Sequence, residues 1–207
     1  MTTRFPTLFT PYRLRDLVLP NRIISSAHGT YMPKDGLQTD QIALYRATRA
    51  AGGVGLIILE TTSVHQTAIG GPRYAVAVDD TCIPGYRKLF DAIHAHGTTD
   101  GTIAPCFSSS AVRCGANQLM RRAMSLALID EVVQSYGSAA RRLISAGAGD
   151  IEISAHHGHL IARFLDPRAN KRTDHYGGSF ANRFGILAEI VASVRAASSS
   201  QAAVLSA

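Results

Sequence analysis

Tryptophan is absent from this 207-residue chain, cysteine occurs only three times, and no apolar run is long. Each scarcity sets a class of protein aside. Cys82, Cys106 and Cys114 show no metal-ligand spacing and no even-numbered framework, so free thiols in a reducing compartment are expected. The longest apolar segments, such as Val54 to Leu59, fall far short of the roughly 20 residues that cross a bilayer. Polar residues and prolines stand at the amino terminus where a signal peptide would carry its apolar region. A cytoplasmic location is therefore the expectation. Charge is not blocked: the net +6 comes from scattered Arg and Lys, so neither nucleic acid nor a membrane is an expected partner. With 46% hydrophobic and 17% charged residues, the composition is that of one globular domain able to bury a core.

What is present alternates. Arg4 to Asn21 hold Pro6, Pro11 and Pro20 around short apolar pieces, which suits an extended cover segment over residues 1–22. Ile23 to Ser26 reads as a short strand that opens into the polar loop Ala27, His28, Gly29, Thr30, Tyr31. From Thr39, a suitable N-cap, Ile42, Tyr45, Arg46 and Arg49 follow at helical spacing until Gly52-Gly53. Val54 to Leu59 is a continuous apolar run, as in a parallel strand buried on both faces, and it ends at Glu60-Thr61-Thr62. Pro84 then marks the first turn of a helix with Tyr86, Leu89, Phe90 and Ile93 on one stripe and Gly97 as terminator.

A third strand should follow at once, yet residues 98–118 are weakly patterned. Ile103, Ala104, Cys106 and Phe107 suggest a strand that Ser108-Ser109-Ser110 interrupts. Order returns at Ser125, which caps a long helix striped by Ile129, Val132, Val133, Tyr136, Ala140, Leu143 and Ile144 and closed by Gly147 and Gly149. Asp150 to Ser154 is the next strand. Ser179 caps a helix with Phe180, Phe184, Leu187, Ile190, Val191 and Val194, and Ala203 to Leu205 hints at one more strand.

Alternation of this kind implies parallel strands with right-handed crossovers. A doubly wound sheet announces itself by a glycine-rich phosphate turn, and neither G-x-G-x-x-G nor a P-loop is present. A barrel needs no such turn and puts polar residues at its strand ends, as at His28, Glu60 and His157. The expected fold is therefore α/β, of the (β/α)8 TIM-barrel type. Eight units normally take about 250 residues, so residues 23–207 hold about the first four.

Histidines crowd the stretch from Asp150 to Arg183. Alternation along the strand gives Glu152, Ser154 and His156 one direction and Ile153, Ala155 and His157 the other. One histidine at a barrel mouth is ordinarily structural; His156, His157 and His159 together shift the reading toward function. A zinc site on His157 and His159 competes, but spacing identifies no further ligand, so no metal is assigned. No G-x-S-x-G elbow exists. Arg168, Asn170, Arg172, Asp174 and Arg183, with Gly177-Gly178, read as a loop fixed by its own ion pairs and amide bonds.

The run Phe164-Leu-Asp-Pro-Arg-Ala-Asn-Lys-Arg-Thr-Asp-His-Tyr-Gly-Gly-Ser-Phe-Ala-Asn-Arg183 resembles the signature of the Old Yellow Enzyme family of FMN-dependent ene-reductases and their amine-dehydrogenase and dienoyl-CoA-reductase relatives. Leu8-Phe9-Thr10-Pro11, Pro20-Asn21-Arg22-Ile23 and Gly52-Gly53-Val54-Gly55-Leu56-Ile57 match it in the same order. The resemblance covers nearly the whole chain, but only the first half of the family's barrel. It implies noncovalent FMN at the barrel mouth, NADH or NADPH as electron donor, and a small organic substrate: an activated alkene, or an amine in the demethylating branch. An iron-sulfur cluster enters only in a longer parent.

By the same resemblance, Ala27, His28 and Gly29 touch the flavin, largely through backbone groups, and Thr61 is the next flavin contact. Tyr31 faces substrate, and His157 holds a polar group of the substrate so that an alkene can accept hydride. Ser154 stands where the family has a first such His. His159 stands where the family has a proton-donating Tyr; an imidazole, with an ordinary pKa near 6.5, can act as acid or base but is not interchangeable with a phenol. Between Thr98 and Gly115 the family's Gln and His-x-Gly-Arg are missing, the pattern a shifted reading frame leaves between matched flanks. Two other readings stand beside this one: a truncated barrel without catalysis that associates through its open edges, as a homo-oligomer for example, and a metal-dependent barrel hydrolase using His157 and His159.

Overall fold

A computed structural model describes residues 4–14, 17–104, 122–156, 158–198 and 204–206. The cover segment is more regular than an extended strap. After a 3-10 turn over Pro6–Phe9 come two antiparallel strands, β1 (Tyr12–Leu14) and β2 (Leu17–Leu19), with Tyr12 opposite Leu19. The regular β/α alternation then begins: β3 (Ile24–Ser25), α1 (Asp40–Ala51), β4 (Leu56–Ser63), β5 (Ala75–Val76), α2 (Ile83–His94), β6 (Thr99–Ala104), α3 (Leu126–Ala146), β7 (Asp150–Ile153), α4 (Leu160–Leu165), α5 (Phe180–Ala197) and β8 (Val204–Ser206).

The sheet runs β3-β4-β6-β7-β8, all parallel, with β5 beside the far end of β4. Strand order follows chain order with no reversal. A doubly wound sheet has a switch point where that order turns back, so this is the opening arc of a (β/α)8 barrel, with its helices on the outside. The capping signals are local chemistry and hold as read: the hydroxyls of Thr39, Ser125 and Ser179 accept from the backbone N–H groups of Ile42, Leu128 and Asn182. Gly147 closes α3 in the left-handed conformation, φ 109°, where a Cβ is disfavoured.

Three boundaries differ from the sequence reading. β4 runs through Glu60, Thr61 and Thr62 to Ser63, and its register against β6 shifts between Ile58 and Thr61. The polar residues are therefore in the strand: Glu60, Thr61 and Ser63 line the barrel mouth, while Thr62 is buried against the Tyr86 hydroxyl of α2 at 2.7 Å. β6 starts at Thr99, before the apolar pair Ile103-Ala104, because backbone pairing and two hydroxyl bonds, Thr98 Oγ1 to the Val54 carbonyl and Thr99 Oγ1 to the Gly55 carbonyl (each 2.8 Å), hold it against β4. Cys106, Phe107 and the serine run lie outside the described residues. The short helix α4, within the long loop after β7, carries no periodic signal of its own.

The core lies between sheet and helices. Ile57, Leu59, Tyr86, Leu89, Phe90, Ile93, Ile129, Ile153, Phe164, Ile186 and Ile190 are all at most 2% exposed, each contributing roughly 1.5–3 kcal/mol of apolar transfer. Helix α3 meets α5 closely at Gly137, where an added Cβ would lie 2.5 Å from Ser193 Oγ.

At the amino ends of the strands, opposite the mouth, Asp100 is fully buried and His94 Nε2 lies 2.6 Å from its Oδ1. The hydrogen bond to Asp100 raises the His94 pKa, and burial raises that of Asp100. Both groups hold their protons more tightly folded than unfolded, so the native state binds more protons and stability falls as pH rises. The His94 share is present below the ordinary imidazole range and is lost above it. The melting temperature is expected to drop from about pH 6 to 9, and Asp100→Asn to flatten that drop. An unchanged slope in thermal melts of the variant would sink the assignment.

Candidate active site at the carboxyl ends of the strands

Three strand ends converge on a cavity of about 440 Å³. Gly29 and Tyr31 follow β3, Glu60, Thr61 and Ser63 end β4, and His159 follows β7. The connection from β4 to β5 closes the remaining side with Ala68, Gly70, Arg73 and Tyr74.

Glu60 ties two of these ends together. Its carboxylate, 6% exposed, accepts from the Thr30 N–H at 3.1 Å and the Thr30 hydroxyl at 2.6 Å. Beneath the same loop lies Arg46 of α1, fully buried, with Nη2 donating to the His28 carbonyl at 3.4 Å and with Nε and Nη1 unbonded. Burial lowers the Arg46 pKa and the nearby Glu60 charge opposes that shift. A buried guanidinium with two unused donors is expensive; the Glu60 charge eases that cost through space while its oxygens bond the loop above.

His28 does not face the cavity. Its Nδ1 lies 3.0 Å from the Ser26 carbonyl and its Nε2 2.7 Å from the Tyr45 hydroxyl, edge-on to the Tyr45 ring. Tyr45 in turn accepts from Arg49 at 2.6 Å, so the imidazole is anchored to α1. Tyr31 is exposed, has a left-handed backbone (φ 54°), and meets Tyr74 edge-to-face at 5.6 Å. The neighbouring Tyr31 hydroxyl pushes the Tyr74 phenol upward.

Glu152 on β7 and Ser154 just after it are 8% and 2% exposed, and burial raises the Glu152 carboxyl. His156 and His159 are half-buried, and His159 immediately precedes α4. Among the predicted site residues, Gly29, Tyr31, Thr61 and His159 meet on one cavity; Ala27, His28 and Ser154 are not on its lining; His157 lies outside the described residues. Arg73 and Tyr74 were not singled out from the sequence, where the only cue is that they follow the loop signal Gly70-Gly71-Pro72. Among the described residues no three His, Cys, Asp or Glu side chains converge as metal ligands, and no helix is long and apolar enough to cross a membrane.

The loop after β7 is scaffold. Asn170 Nδ2 donates to the Phe164 and Tyr176 carbonyls at 2.8 and 2.7 Å. Arg172 forks onto Asp174 and reaches the Met124 carbonyl at 2.7 Å, which pulls the Asp174 carboxyl below its ordinary range. Arg183 donates to the Leu165 carbonyl at 2.8 Å. These bonds set α4, and so His159, against the start of α5.

A model of the NADH:flavin oxidoreductase / NADH oxidase family matches residues 7–99 and 96–206. The chain belongs to that family. The NADPH dehydrogenase of Listeria welshimeri is 35% identical over 201 residues, which cover 91% of this chain and 60% of the relative. The chain thus spans about 60% of the length of such curated relatives. Among solved structures, morphinone reductase in complex with tetrahydroNAD superposes with TM-score 0.90 at 26% identity, over 97% of this chain and 64% of that one. Histamine dehydrogenase from Rhizobium sp. 4-9 does so with TM-score 0.89 at 26% identity, over 99% of this chain and 32% of that one. The two matched segments overlap at residues 96–99, and the second runs through the weakly patterned stretch.

Proposed function

We propose that this chain is the amino-terminal part of an FMN-dependent oxidoreductase that passes hydride between a nicotinamide donor, flavin and a small organic substrate. The observation that carries the reading is the cavity itself: Gly29, Thr61 and His159, from three separate strand ends, share one wall system at the mouth of the barrel arc. The donor set fits the ring portion of FMN. Backbone at the exposed end of β3 and the Thr61 hydroxyl offer donors and acceptors along one side, while Tyr31 and Tyr74 supply flat apolar surface.

Within this reading the backbone of Ala27 to Gly29 and Thr61 would hold the flavin ring, and Glu60 with Arg46 fixes the loop that presents that backbone. When bound, FMN supplies hydride transfer through its N5 atom. His157 orients the polar group of the substrate, with the Ser154 hydroxyl as the weaker partner. His159 holds or releases a proton at an imidazole nitrogen at the cavity wall. Either an activated alkene or an amine suits this set; an amine asks for no carbon protonation from position 159.

The test is direct. The purified chain is expected to be yellow or to take up added FMN, to release FMN on denaturation and to bleach under NADPH without oxygen. A colourless chain unaltered by FMN would overturn the reading. A second reading rests on the sheet order, in which β3 and β8 stand at the two ends with no strand on their outer edges among the described residues: a barrel arc without catalysis that pairs with copies of itself. Sedimentation of the same sample separates it from the first. The absence of the family's Gln and His-x-Gly-Arg between Thr98 and Gly115 favours a shifted frame over 98–118, which resequencing checks.

A further inference from the structure

A second groove, of about 660 Å³, adjoins the cavity and shares Tyr31 and Arg73 with it. Lys34, Asp35, Gln41 and Pro72 belong to its other walls. Lys34 and Arg73 are exposed, and neither side chain has an ion pair or hydrogen bond among the described residues. Asp35, the carboxylate on this lining, offsets only one of the two cations.

The placement of these charges is built by the backbone. The Gly36 N–H donates to the Pro72 carbonyl at 3.0 Å and the Val76 N–H to the Gly36 carbonyl at 2.9 Å, which zips the Lys34 loop to the Arg73 loop. Tyr31 and Asp35 both hold left-handed backbone, φ 54° and 51°, uncommon for residues with side chains and kept where surrounding structure over-determines them. Two cations are thus held on one groove by segments far apart in sequence, with the single carboxylate of Asp35 between them, so the lining keeps a net positive charge.

Size decides which ligand fits. A chamber of about 440 Å³ accepts the reacting ring of a nicotinamide dinucleotide but not its two nucleotides and linking phosphates, so the remainder must leave along an adjoining channel. The outer groove is such a channel, and it begins at Arg73. A guanidinium fork matches phosphate oxygens in pairs, and an ammonium adds a point charge. We infer that Arg73 and Lys34 form a phosphate-binding subsite for the nicotinamide dinucleotide donor in this outer groove. The inference rests on the hydride-transfer reading above for the identity of the ligand.

Calorimetric titration of NADPH into the full FMN-loaded chain tests it. Arg73→Ala and Lys34→Ala are each expected to weaken NADPH binding about tenfold or more and to reduce its salt dependence, while FMN content and melting temperature stay unchanged. Arg73→Lys, which keeps the charge and loses the fork, should fall between. Unaltered NADPH affinity in both alanine variants overturns the subsite. So does loss of FMN in place of NADPH, which would make the flavin phosphate the anion, or a loss confined to benzoate, which would make it a substrate carboxylate. If the chain takes up no FMN, the hydride-transfer reading fails by itself; salt-sensitive, Arg73-dependent NADPH binding to the flavin-free chain would still support the subsite, and no binding would overturn it.

Discussion

Gly177→Ala is expected to remove about 3–5 kcal/mol of stability, a large part of the ~5–15 kcal/mol that a domain possesses. A Cβ at this position would lie 2.5 Å from the Arg172 carbonyl carbon and closer still to its oxygen. Both are backbone atoms, so no rotamer change can relieve the clash. The Gly177 N–H donates to the Asp174 carbonyl and its own carbonyl accepts from Asn182 Nδ2, each at 2.9 Å, so the residue cannot swing outward without opening the turn. Opening it would break the Arg172 link to the Met124 carbonyl and unseat the buried Asn170 amide. Gly178 is the control. It has φ 75° and nothing within 4 Å of an added Cβ, so alanine there should cost only about 1–2 kcal/mol of backbone strain. Urea unfolding of the two variants makes the comparison, and a Gly177→Ala loss no larger than that of Gly178→Ala would refute the close-approach argument.

His159→Phe is expected to lower turnover of the FMN-loaded chain about 10²- to 10⁴-fold without lowering FMN uptake. Phenylalanine keeps a flat ring at the cavity wall and removes both nitrogens, so packing before α4 is retained and proton transfer is lost. Stopped-flow measurement separates the steps: reduction of the flavin by NADPH should proceed at the wild-type rate, and reoxidation by an electron-poor alkene should slow. His159→Tyr, which restores a proton-bearing group, should recover part of the second step. Wild-type reoxidation in the phenylalanine variant would retire the acid-base role, and a slowed reduction step would assign His159 to donor binding.

What local chemistry decides was legible in the residues. Thr39, Ser125 and Ser179 cap their helices because a hydroxyl needs only the N–H three residues ahead. The stripe Tyr86, Leu89, Phe90, Ile93 and the run Val54 to Leu59 expose their periods within one element, and the order of such elements with no phosphate turn was enough to choose a barrel. The Arg-Asn-Gly loop was also readable as scaffold, since its partners lie mostly within a few residues.

Only the tertiary structure decided how strand-end residues divide between cavity and support. His28 turns away because Tyr45, seventeen positions on, offers a hydroxyl. Glu60 becomes a clasp because Thr30, thirty positions back, meets both of its oxygens, and Arg46 of α1 holds the same loop at the His28 carbonyl. Arg73 reaches the mouth because β5 pairs with the end of β4 and carries its loop over the site. In each case the determining partner lies far along the chain, and its distance is set by helix packing and sheet register, quantities that no local period encodes.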